Sequence, residues 1–277
     1  MHEYIHYLNG IWKKASLAKI PFNDAGFLLG DGLFETIRFD NKRLFQPIKH
    51  LERLFTSLNI IHINLQYSKK EIENLLNEII KKNTLESGLL RLMITRGDVK
   101  GAPWKYDGPA SIYISIRPLS LEPNSPVKVV FYSELEYPII RYTPAIKSMN
   151  YIGNMLAKKD AEEEKAFEPV FYNGDNFITE CAIRNIFFIK DKTILTPSKQ
   201  LGVLPGVMRD TILSISKDLQ FNINETNIPL NSIKNMDEAF ISSTGIGLLP
   251  CYWDNWKSDF VITSKIKEHL NQLINNY

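Results

Sequence analysis

Three prolines within nine residues, Pro118–Pro126 (PLSLEPNSP), interrupt the 277-residue chain near its middle. Proline has no amide hydrogen and a fixed φ, so neither a helix nor a central strand can continue through this stretch. The chain is also long enough that a single hydrophobic core stops growing efficiently. We therefore predict two domains, 1–118 and 127–277, joined by a linker at 119–126.

Short strands and amphipathic helices alternate on both sides of the proline-rich stretch, which predicts an α+β fold. In the first half, Ser68 and Glu71 have the spacing of a capping box at the start of a helix. The predicted strands are Ile5–Asn9, Leu33–Phe39, Leu89–Thr95, Ser111–Arg117, Val127–Tyr132, Val170–Tyr172, Phe177–Thr179, Asn185–Lys190 and Glu238–Ser242. The predicted helices are Pro47–Leu58, Ser68–Lys82, Gly153–Lys165, Gly206–Leu219 and one at the C-terminus.

Residues typical of turns separate several of these elements. Asn9-Gly10 and Asn173-Gly174-Asp175 are hairpin signals, and Asp40-Asn41 indicates a further turn. Gly30-Asp31-Gly32 does not complete a dinucleotide-binding motif, so we interpret both glycines as turn residues with positive φ.

Composition excludes several classes of protein. Lys and Arg number 33 against 31 Asp and Glu, and the net charge of +2 provides no general field for nucleic acid. No apolar run is long enough to span a bilayer, and the N-terminus lacks the apolar core of a secretory signal. The only cysteines, Cys181 and Cys251, cannot form a disulfide framework. We expect a cytoplasmic protein without nucleic-acid or membrane partners.

His2 and His6 match the zinc motif H-E-x-x-H in spacing. The motif works only on a helix, whereas here it runs into a strand pattern. On a strand the two imidazoles would lie roughly 13 Å apart, too far to share a metal. We therefore predict no metal site.

Four separated features could each take part in a catalytic site. Lys147 lies among small and apolar neighbours, which can lower the pKa of its amine, although most lysines are solvated. Glu180 ends an apolar strand and either faces solvent or binds a cation. Gly206 opens a helix whose first amides form an anion site. Arg53 lies on the polar side of a helix, where a surface salt bridge is the alternative.

Together these features resemble the class IV aminotransferases, the fold-type IV pyridoxal 5'-phosphate (PLP) enzymes. The resemblance extends from Asn9-Gly10 to Leu249-Pro250. Its most specific stretches are Gly30-Asp31-Gly32-Leu33-Phe34-Glu35-Thr36, His50-x-x-Arg53, Lys147–Asn154, Thr179-Glu180 with Asn185-Ile186-Phe187, and Leu204–Arg209. The family includes branched-chain aminotransferases, D-amino-acid aminotransferases and aminodeoxychorismate lyases.

The resemblance implies a role for each matching residue. Lys147 matches the lysine that bonds covalently to PLP and moves the substrate proton. Glu180 matches the carboxylate that faces the pyridine nitrogen and keeps it protonated. The phosphate ligands would be the Arg53 side chain, the amides of Val207 and Met208, the hydroxyl of Thr244 and, as a weaker match, that of Ser243.

The resemblance also bears on the reaction. Thr36 matches a threonine that is typical of aminodeoxychorismate lyases and assists proton transfer near the lysine, although a β-branched filler on a strand is the alternative. Phe34 replaces a tyrosine of D-amino-acid enzymes. Arg91 could bind a substrate carboxylate or could merely be solvated, and Gly245 would offer its amide to the α-carboxylate. Arg184 is unusual for all the subfamilies, and the resemblance gives it no role.

These departures favour an aminodeoxychorismate lyase, which releases pyruvate and forms 4-aminobenzoate. A branched-chain or D-amino-acid aminotransferase that uses 2-oxoglutarate is the alternative. A protein that binds PLP without turnover is a third possibility, against which the presence of Lys147, Glu180 and Arg53 argues.

The family's architecture implies a small α+β domain and a larger barrel-like α+β domain, as in D-amino-acid aminotransferases, with PLP in the cleft between them. Members of the family are at least homodimers, so the resemblance implies a homodimer that acts on a small amino-acid-like substrate.

Overall fold

The computed structural model describes residues 3–106, 108–120, 123 and 126–276. The chain forms two compact units. The first contains Met1–Ser120 and Ile146–Asn150, and the second contains Leu121–Ala145 and Tyr151–Asn276. Positions 121, 122, 124 and 125 of the predicted linker lie outside the described residues, as does His2, so the linker stays a prediction.

A six-stranded antiparallel sheet forms the centre of the first unit. Its strands are β1 (Ile5–Leu8), β2 (Ile11–Lys14), β3 (Gly32–Asp40), β4 (Arg43–Leu44), β5 (Gly88–Thr95) and β6 (Ser111–Pro118). They pair in the order β2-β1-β6-β5-β3-β4. The central strands β3, β5 and β6 pair along nearly their whole lengths, which fixes which of their side chains share a face.

Two helices pack on one face of this sheet. The helices of the unit are α1 (Ala25–Leu29), α2 (Pro47–Ile60) and α3 (Lys69–Lys81). Proline occupies the first turn of α2, where no amide hydrogen is needed. The predicted capping box of α3 is confirmed, since Ser68 and Glu71 each accept from the other's backbone amide. The apolar sides of α2 and α3, including Leu54 and Leu76, are buried.

The turn glycines before β3 differ from each other. Gly30 has φ +67° and ends α1, so its predicted left-handed conformation is confirmed. Gly32 does not have positive φ, and that prediction is wrong. Gly32 instead lies at the start of β3, where an added Cβ would be 2.6 Å from the carbonyl oxygen of Ile94. Its lack of a side chain therefore permits close strand packing.

The second unit contains a nine-stranded mixed sheet. Its strands are β7 (Val127–Ser133), β8 (Glu168–Tyr172), β9 (Phe177–Cys181), β10 (Asn185–Lys190), β11 (Thr193–Pro197), β12 (Asn222–Thr226), β13 (Ile228–Pro229), β14 (Glu238–Ser243) and β15 (Gly247–Tyr252). The order is β12-β11-β10-β14-β15-β7-β8-β9-β13. Strand β9 also contacts β10 and β11 from the far part of this order, so the sheet is nearly closed and barrel-like.

The core of the second unit lies inside this sheet. Val129, Val170, Ile186, Phe188 and Ile241 are all fully buried there. Three helices, α4 (Ile152–Glu163), α5 (Val207–Asp218) and α6 (Val261–Asn276), pack on its strands. Short 3₁₀ segments occur at Ala15–Leu17, Pro103–Lys105, Lys199–Leu201 and Leu230–Asn235.

The predicted α+β class is confirmed, and each predicted helix and strand is present with ends shifted by at most two residues. The elements that were not predicted are α1, β2, β4, β11, β12, β13 and β15. In the part of the chain that the structure describes, no helix is both long enough and apolar enough to cross a membrane.

Candidate functional site

One face of the first unit's sheet carries three predicted site residues. Thr36 on β3 lies directly opposite Arg91 on β5, so their side chains share a face. Phe34 projects from the same face of β3, two residues earlier. The Arg91 guanidinium lies 4.2 Å from the centre of the Phe34 ring, within cation–π range. Leu90 and Leu92 are buried, whereas Arg91 is exposed.

Lys147 reaches the same phenyl ring. Its ammonium lies 4.5 Å from the centre of the Phe34 ring. Its backbone carbonyl accepts from the Phe34 amide at 3.0 Å, and the Met149 amide donates to the Gly32 carbonyl at 3.0 Å. The lysine peptide is therefore fixed to β3 by backbone bonds at Lys147 and Met149, on both sides of Ser148. The structure thus brings Phe34, Thr36, Arg91 and Lys147 together.

The opposite face of β3 carries a buried ionic network. Glu35 is 1% exposed and accepts from Arg53 through Nε at 2.8 Å and Nη2 at 2.6 Å. His50 Nδ1 lies 2.8 Å from the same carboxylate and donates to it, because an ionised carboxylate only accepts. Arg53 therefore forms a buried ion pair, not a surface salt bridge.

The environment of this network controls its charges. Burial would raise the pKa of Glu35, but the charge of Arg53 and the bonds from His50 and Arg53 outweigh it and lower the pKa to about 2. Burial lowers the pKa of His50 despite its bond to Glu35. The imidazole is therefore neutral near pH 7, and its Nε2 is buried without a hydrogen-bond partner.

In the second unit, the Glu180 carboxylate binds a cation, which is one of the two alternatives left open by the sequence. Arg141 Nη1 donates to Glu180 Oε1. The other oxygen accepts from the Leu204 amide at 3.2 Å and, more weakly, from Asn185 Nδ2 at 3.4 Å. The side chain is 13% exposed. These donors favour the ionised form of Glu180.

The N-terminus of α5 lies beside this carboxylate. Gly206 precedes the helix and provides no side-chain cap, so the amides of the first turn, including Val207 and Met208, have no partner within the helix. An added Cβ on Gly206 would be 2.1 Å from Asn185 Oδ1. Asn185 Nδ2 also donates to the Leu204 carbonyl at 3.0 Å. Asn185 therefore connects Glu180 to the start of α5.

Three residues with hydroxyl side chains lie at the end of β14. Ser242 lies directly opposite Asn185, and Ser243 ends the strand. Thr244 and Gly245 form the turn that leads to β15. Ser242 Oγ is buried without a hydrogen-bond partner.

These groups fit PLP. The uncapped amides at α5 and the hydroxyls at the end of β14 are donors suited to a phosphate, and Glu180 is an acceptor suited to a protonated ring nitrogen. The orphaned Ser242 hydroxyl adds a donor that nothing in the described residues satisfies. The second unit thus contains Glu180, Val207, Met208, Ser243, Thr244 and Gly245, whereas the first contains Lys147, Arg53, Phe34, Thr36 and Arg91.

We expect the substitution Gly206→Ala to weaken PLP binding by about tenfold or more, since overpacking costs roughly 1–3 kcal/mol and here displaces Asn185. Equilibrium dialysis of the apoprotein against PLP measures the change. Gly174→Ala is the matched control, because an added Cβ there meets nothing within 4 Å. Equal affinity of the two variants for PLP would contradict the assignment of α5.

Arg184 has a structural explanation that its sequence position did not give. Its guanidinium donates to Glu168, which is fully buried, and stacks 4.6 Å from the centre of the Phe167 ring. Lys158 donates to the same carboxylate at 3.0 Å. Arg184 therefore anchors the connection between β9, which carries Glu180, and β10, which carries Asn185.

Sequence reasoning assigned no role to Glu35, Glu134 or Arg141. Glu35 had a detectable signal, because an acidic residue at a buried position of an apolar strand requires a cationic partner. Glu134 and Arg141 carry no periodic or spacing signal, since only the fold brings Arg141 to Glu180 and Glu134 to Arg141.

The chain is similar to known proteins in sequence. A family model described as amino-transferase class IV matches residues 32–252. A putative branched-chain-amino-acid aminotransferase of Methanocaldococcus jannaschii is 29% identical over 274 residues, covering 96% of this chain and 95% of that protein. The D-alanine aminotransferase of Staphylococcus aureus strain N315 is 32% identical over 250 residues, covering 88% and 86%.

Two solved structures have the same fold. The branched-chain aminotransferase of Thermoproteus uzoniensis with norvaline superposes with a TM-score of 0.91 at 22% identity, covering 99% of this chain and 95% of that chain. A putative 4-amino-4-deoxychorismate lyase from Legionella pneumophila gives a TM-score of 0.85 at 24% identity, covering 93% and 96%.

Proposed function

Because the chain belongs to the class IV aminotransferases, a family of PLP-dependent enzymes, we propose that it is a 4-amino-4-deoxychorismate lyase. The predictions of the family, of an enzyme and of PLP as cofactor are confirmed. The lyase activity is the finer proposal, and the arrangement of Thr36, Arg91 and Lys147 around Phe34 supports it.

The single observation that carries the proposal is that two cations contact one phenyl ring. The Arg91 guanidinium and the Lys147 ammonium lie 4.2 and 4.5 Å from the centre of the Phe34 ring, and Thr36 is directly opposite Arg91. A substrate with two carboxylates needs a cationic group close to the reacting amine to bind one of them, and Arg91 has the planar donors for it. Gly245 would offer its amide to the second carboxylate.

PLP supplies an electron sink that stabilises a substrate carbanion. We assign Lys147 as its covalent anchor and as the base that moves the substrate proton, and Glu180 as the acceptor that keeps the ring nitrogen protonated. Arg53, the amides of Val207 and Met208, and the hydroxyls of Ser243 and Thr244 would hold the phosphate. Thr36 would orient or relay the proton that Lys147 moves.

The proposed reaction balances without a second reactant. The ring of 4-amino-4-deoxychorismate loses one proton, and the bond from the ring to the enolpyruvyl oxygen breaks. The proton finally reaches the leaving group, which becomes pyruvate, while the ring becomes aromatic as 4-aminobenzoate. The protein must therefore return a proton as well as remove one, and a hydroxyl beside the lysine suits that transfer.

An aminotransferase is the second candidate, and the names of the relatives favour it. The M. jannaschii and S. aureus proteins are named as branched-chain and D-alanine aminotransferases. Arg91 could then bind the distal carboxylate of 2-oxoglutarate. Thr36 would have no required role in this alternative.

The experiment that separates the two candidates uses the PLP-loaded enzyme with 4-amino-4-deoxychorismate. We expect equal amounts of pyruvate and 4-aminobenzoate. Thr36→Val should lower kcat by roughly 10²-fold, because the hydroxyl is removed, whereas Thr36→Ser should retain most of it. Absence of pyruvate, together with consumption of 2-oxoglutarate in the presence of a branched-chain or D-amino acid, would show that the enzyme is an aminotransferase.

We also propose a homodimer, formed through an apolar patch of the first unit that consists of Phe22, Phe27, Leu28 and Leu29. These side chains are 77%, 64%, 50% and 57% exposed, and the rings of Phe22 and Phe27 are 6.0 Å apart. Clustered apolar exposure is uncommon on a monomer surface. A second copy of the chain is the occupant that the family resemblance implies.

Light scattering should give twice the 31.9 kDa chain mass. Phe27→Asp should shift the protein toward the monomer, because a charge would be buried in the interface. Val261→Asp is the control, since Val261 is 71% exposed on a helix outside the patch. A monomeric mass for the unsubstituted protein would contradict the proposal.

The cytoplasm remains the proposed compartment. Both cysteines are buried and unpaired, and burial raises the pKa of each thiol. Unpaired cysteines suit a reducing compartment.

A further inference from the structure

The Glu180 carboxylate is one end of a chain of alternating charges within the second unit. Arg141 donates to Glu180 through Nη1 and to Glu134 Oε1 through Nε at 2.8 Å and Nη2 at 2.5 Å. The side chains of Glu134, Arg141 and Glu180 are only 13%, 18% and 13% exposed. One guanidinium is therefore shared between two carboxylates that are largely removed from water.

Neighbouring groups fix this geometry. The Thr179 hydroxyl donates to Glu134 Oε1 at 2.6 Å and lies 3.2 Å from Arg141 Nη2. Gly202 has φ +73°, and an added Cβ there would be 3.2 Å from the Cβ of Arg141. Because Gly202 has no side chain, the loop that contains it can lie close against Arg141.

The sharing of Arg141 has an electrostatic consequence. A cation that binds a carboxylate reduces the affinity of that carboxylate for a proton. Glu134 also interacts with the Arg141 charge. The electrostatic attraction between Arg141 and Glu180 is therefore weaker than it would be in an isolated ion pair. Burial alone would lower the pKa of Arg141, but Glu180 and Glu134 outweigh it and raise the pKa, so the guanidinium stays charged.

We propose that Arg141 and Glu134 act as positioning residues that set how strongly Glu180 holds the proton on the ring nitrogen of PLP. The proposal rests on the role proposed above for Glu180. Arg141 restrains the basicity of Glu180, and Glu134 opposes Arg141. The strength of the electron sink is thus adjusted by Glu134 through its bonds to Arg141.

The two residues therefore have opposite predicted effects. Glu134→Gln keeps the shape of the side chain but directs the Arg141 charge at Glu180, so the ring nitrogen should lose its proton more easily. Arg141→Met removes the charge, so the nitrogen should hold its proton more tightly. Arg141→Lys restores the charge and should return the nitrogen toward its original behaviour. Damage to the fold alone would not produce shifts of opposite sign.

The test uses the holoenzyme loaded with PLP that carries ¹⁵N in the ring, and follows the nitrogen resonance by NMR over the pH range in which the protein is folded. Glu134→Gln should lower the proton affinity of the nitrogen about tenfold, which is one pH unit, and Arg141→Met should raise it. Glu164→Gln is the control, because Glu164 is exposed, lies in the same unit and accepts a hydrogen bond from the Tyr132 hydroxyl, away from Glu180. It should leave the resonance unchanged.

Glu180→Gln distinguishes the proposed role of Glu180 as partner of the ring nitrogen from the proposed positioning role of Arg141 and Glu134. If it changes the nitrogen resonance while Glu134→Gln and Arg141→Met do not, the role of Glu180 stands and the positioning proposal fails. If Glu180→Gln has no effect, Glu180 is not the partner of the nitrogen and both proposals fail. Shifts of the same sign in Glu134→Gln and Arg141→Met would also overturn the positioning proposal. Melting curves of the apoproteins identify any variant that does not fold. If Arg141→Met does not fold, Arg141→Gln takes its place, because it also removes the charge and should also raise the proton affinity of the nitrogen.

Discussion

Lys147→Ala should reduce turnover by about 10²–10⁴-fold or more, because it removes the base that moves the substrate proton. It should also abolish covalent attachment of PLP. Treatment of the holoenzyme with borohydride, followed by mass spectrometry of its peptides, should place the cofactor on Lys147 in the original protein and nowhere in the variant. The fold should persist, since the bonds from Phe34 and to Gly32 use backbone atoms.

Lys159→Ala is the matched control for this substitution. Lys159 is an exposed lysine on α4 and should leave both turnover and labelling unchanged. Retention of the original turnover by Lys147→Ala, with PLP attached to a different lysine, would show that Lys147 is not the anchor.

Glu35→Gln should have the largest effect on stability. The substitution removes the buried carboxylate that pairs with Arg53, and breaking a buried ion pair in this way costs roughly 3–5 kcal/mol. Urea unfolding of the apoprotein measures the loss. Glu52→Gln, on the exposed side of α2 and next to Arg53 in sequence, is the control and should unfold as the original protein does.

The same network predicts acid sensitivity. The pKa of Glu35 is lowered from 4.5 to about 2 in the folded protein. A carboxylate whose folded pKa is depressed stabilises the fold fully above its unfolded pKa and loses that contribution as the pH falls through the folded value. The loss should be about 3 kcal/mol between pH 4.5 and about 2.

Glu35→Gln should lack this part of the acid transition. Burial lowers the pKa of His50, so protonation of His50 also opposes folding in acid and has the same sign. The unfolding free energies of the original protein and of Glu35→Gln, measured across this pH range, should converge toward low pH. Parallel curves would contradict the assignment of the network.

Local sequence patterns predicted the elements whose signals are local. The capping box of α3 and the strand β3 depend on residues within a few positions of each other, and both were found. Strand β12 (NINET) has only weak apolar alternation, and it forms by parallel pairing with β11. Such a strand is defined by its partner, so composition alone did not reveal it.

The site was predictable to a similar degree. Lys147, Glu180, Arg53 and Gly206 lie in recognisable motifs, but the partners that set their charges do not. Arg141 is 39 positions from Glu180 and lies in a loop without periodicity. Glu35 is the exception, since the alternation of β3 places it on the buried face and thereby requires a cation.

The segment Ile146–Asn150 has a consequence for how the protein can be divided. The chain passes from the first unit to the second, returns for these five residues, and then enters the second unit again. Separate expression of the halves on either side of the proline-rich stretch would therefore deprive the first fragment of the peptide that bonds to β3. The two units are thus not independent modules that could be exchanged between proteins by a single join. A recombinant exchange of the first unit would have to include residues 146–150 as well as the six-stranded sheet, although the two are separated in the sequence.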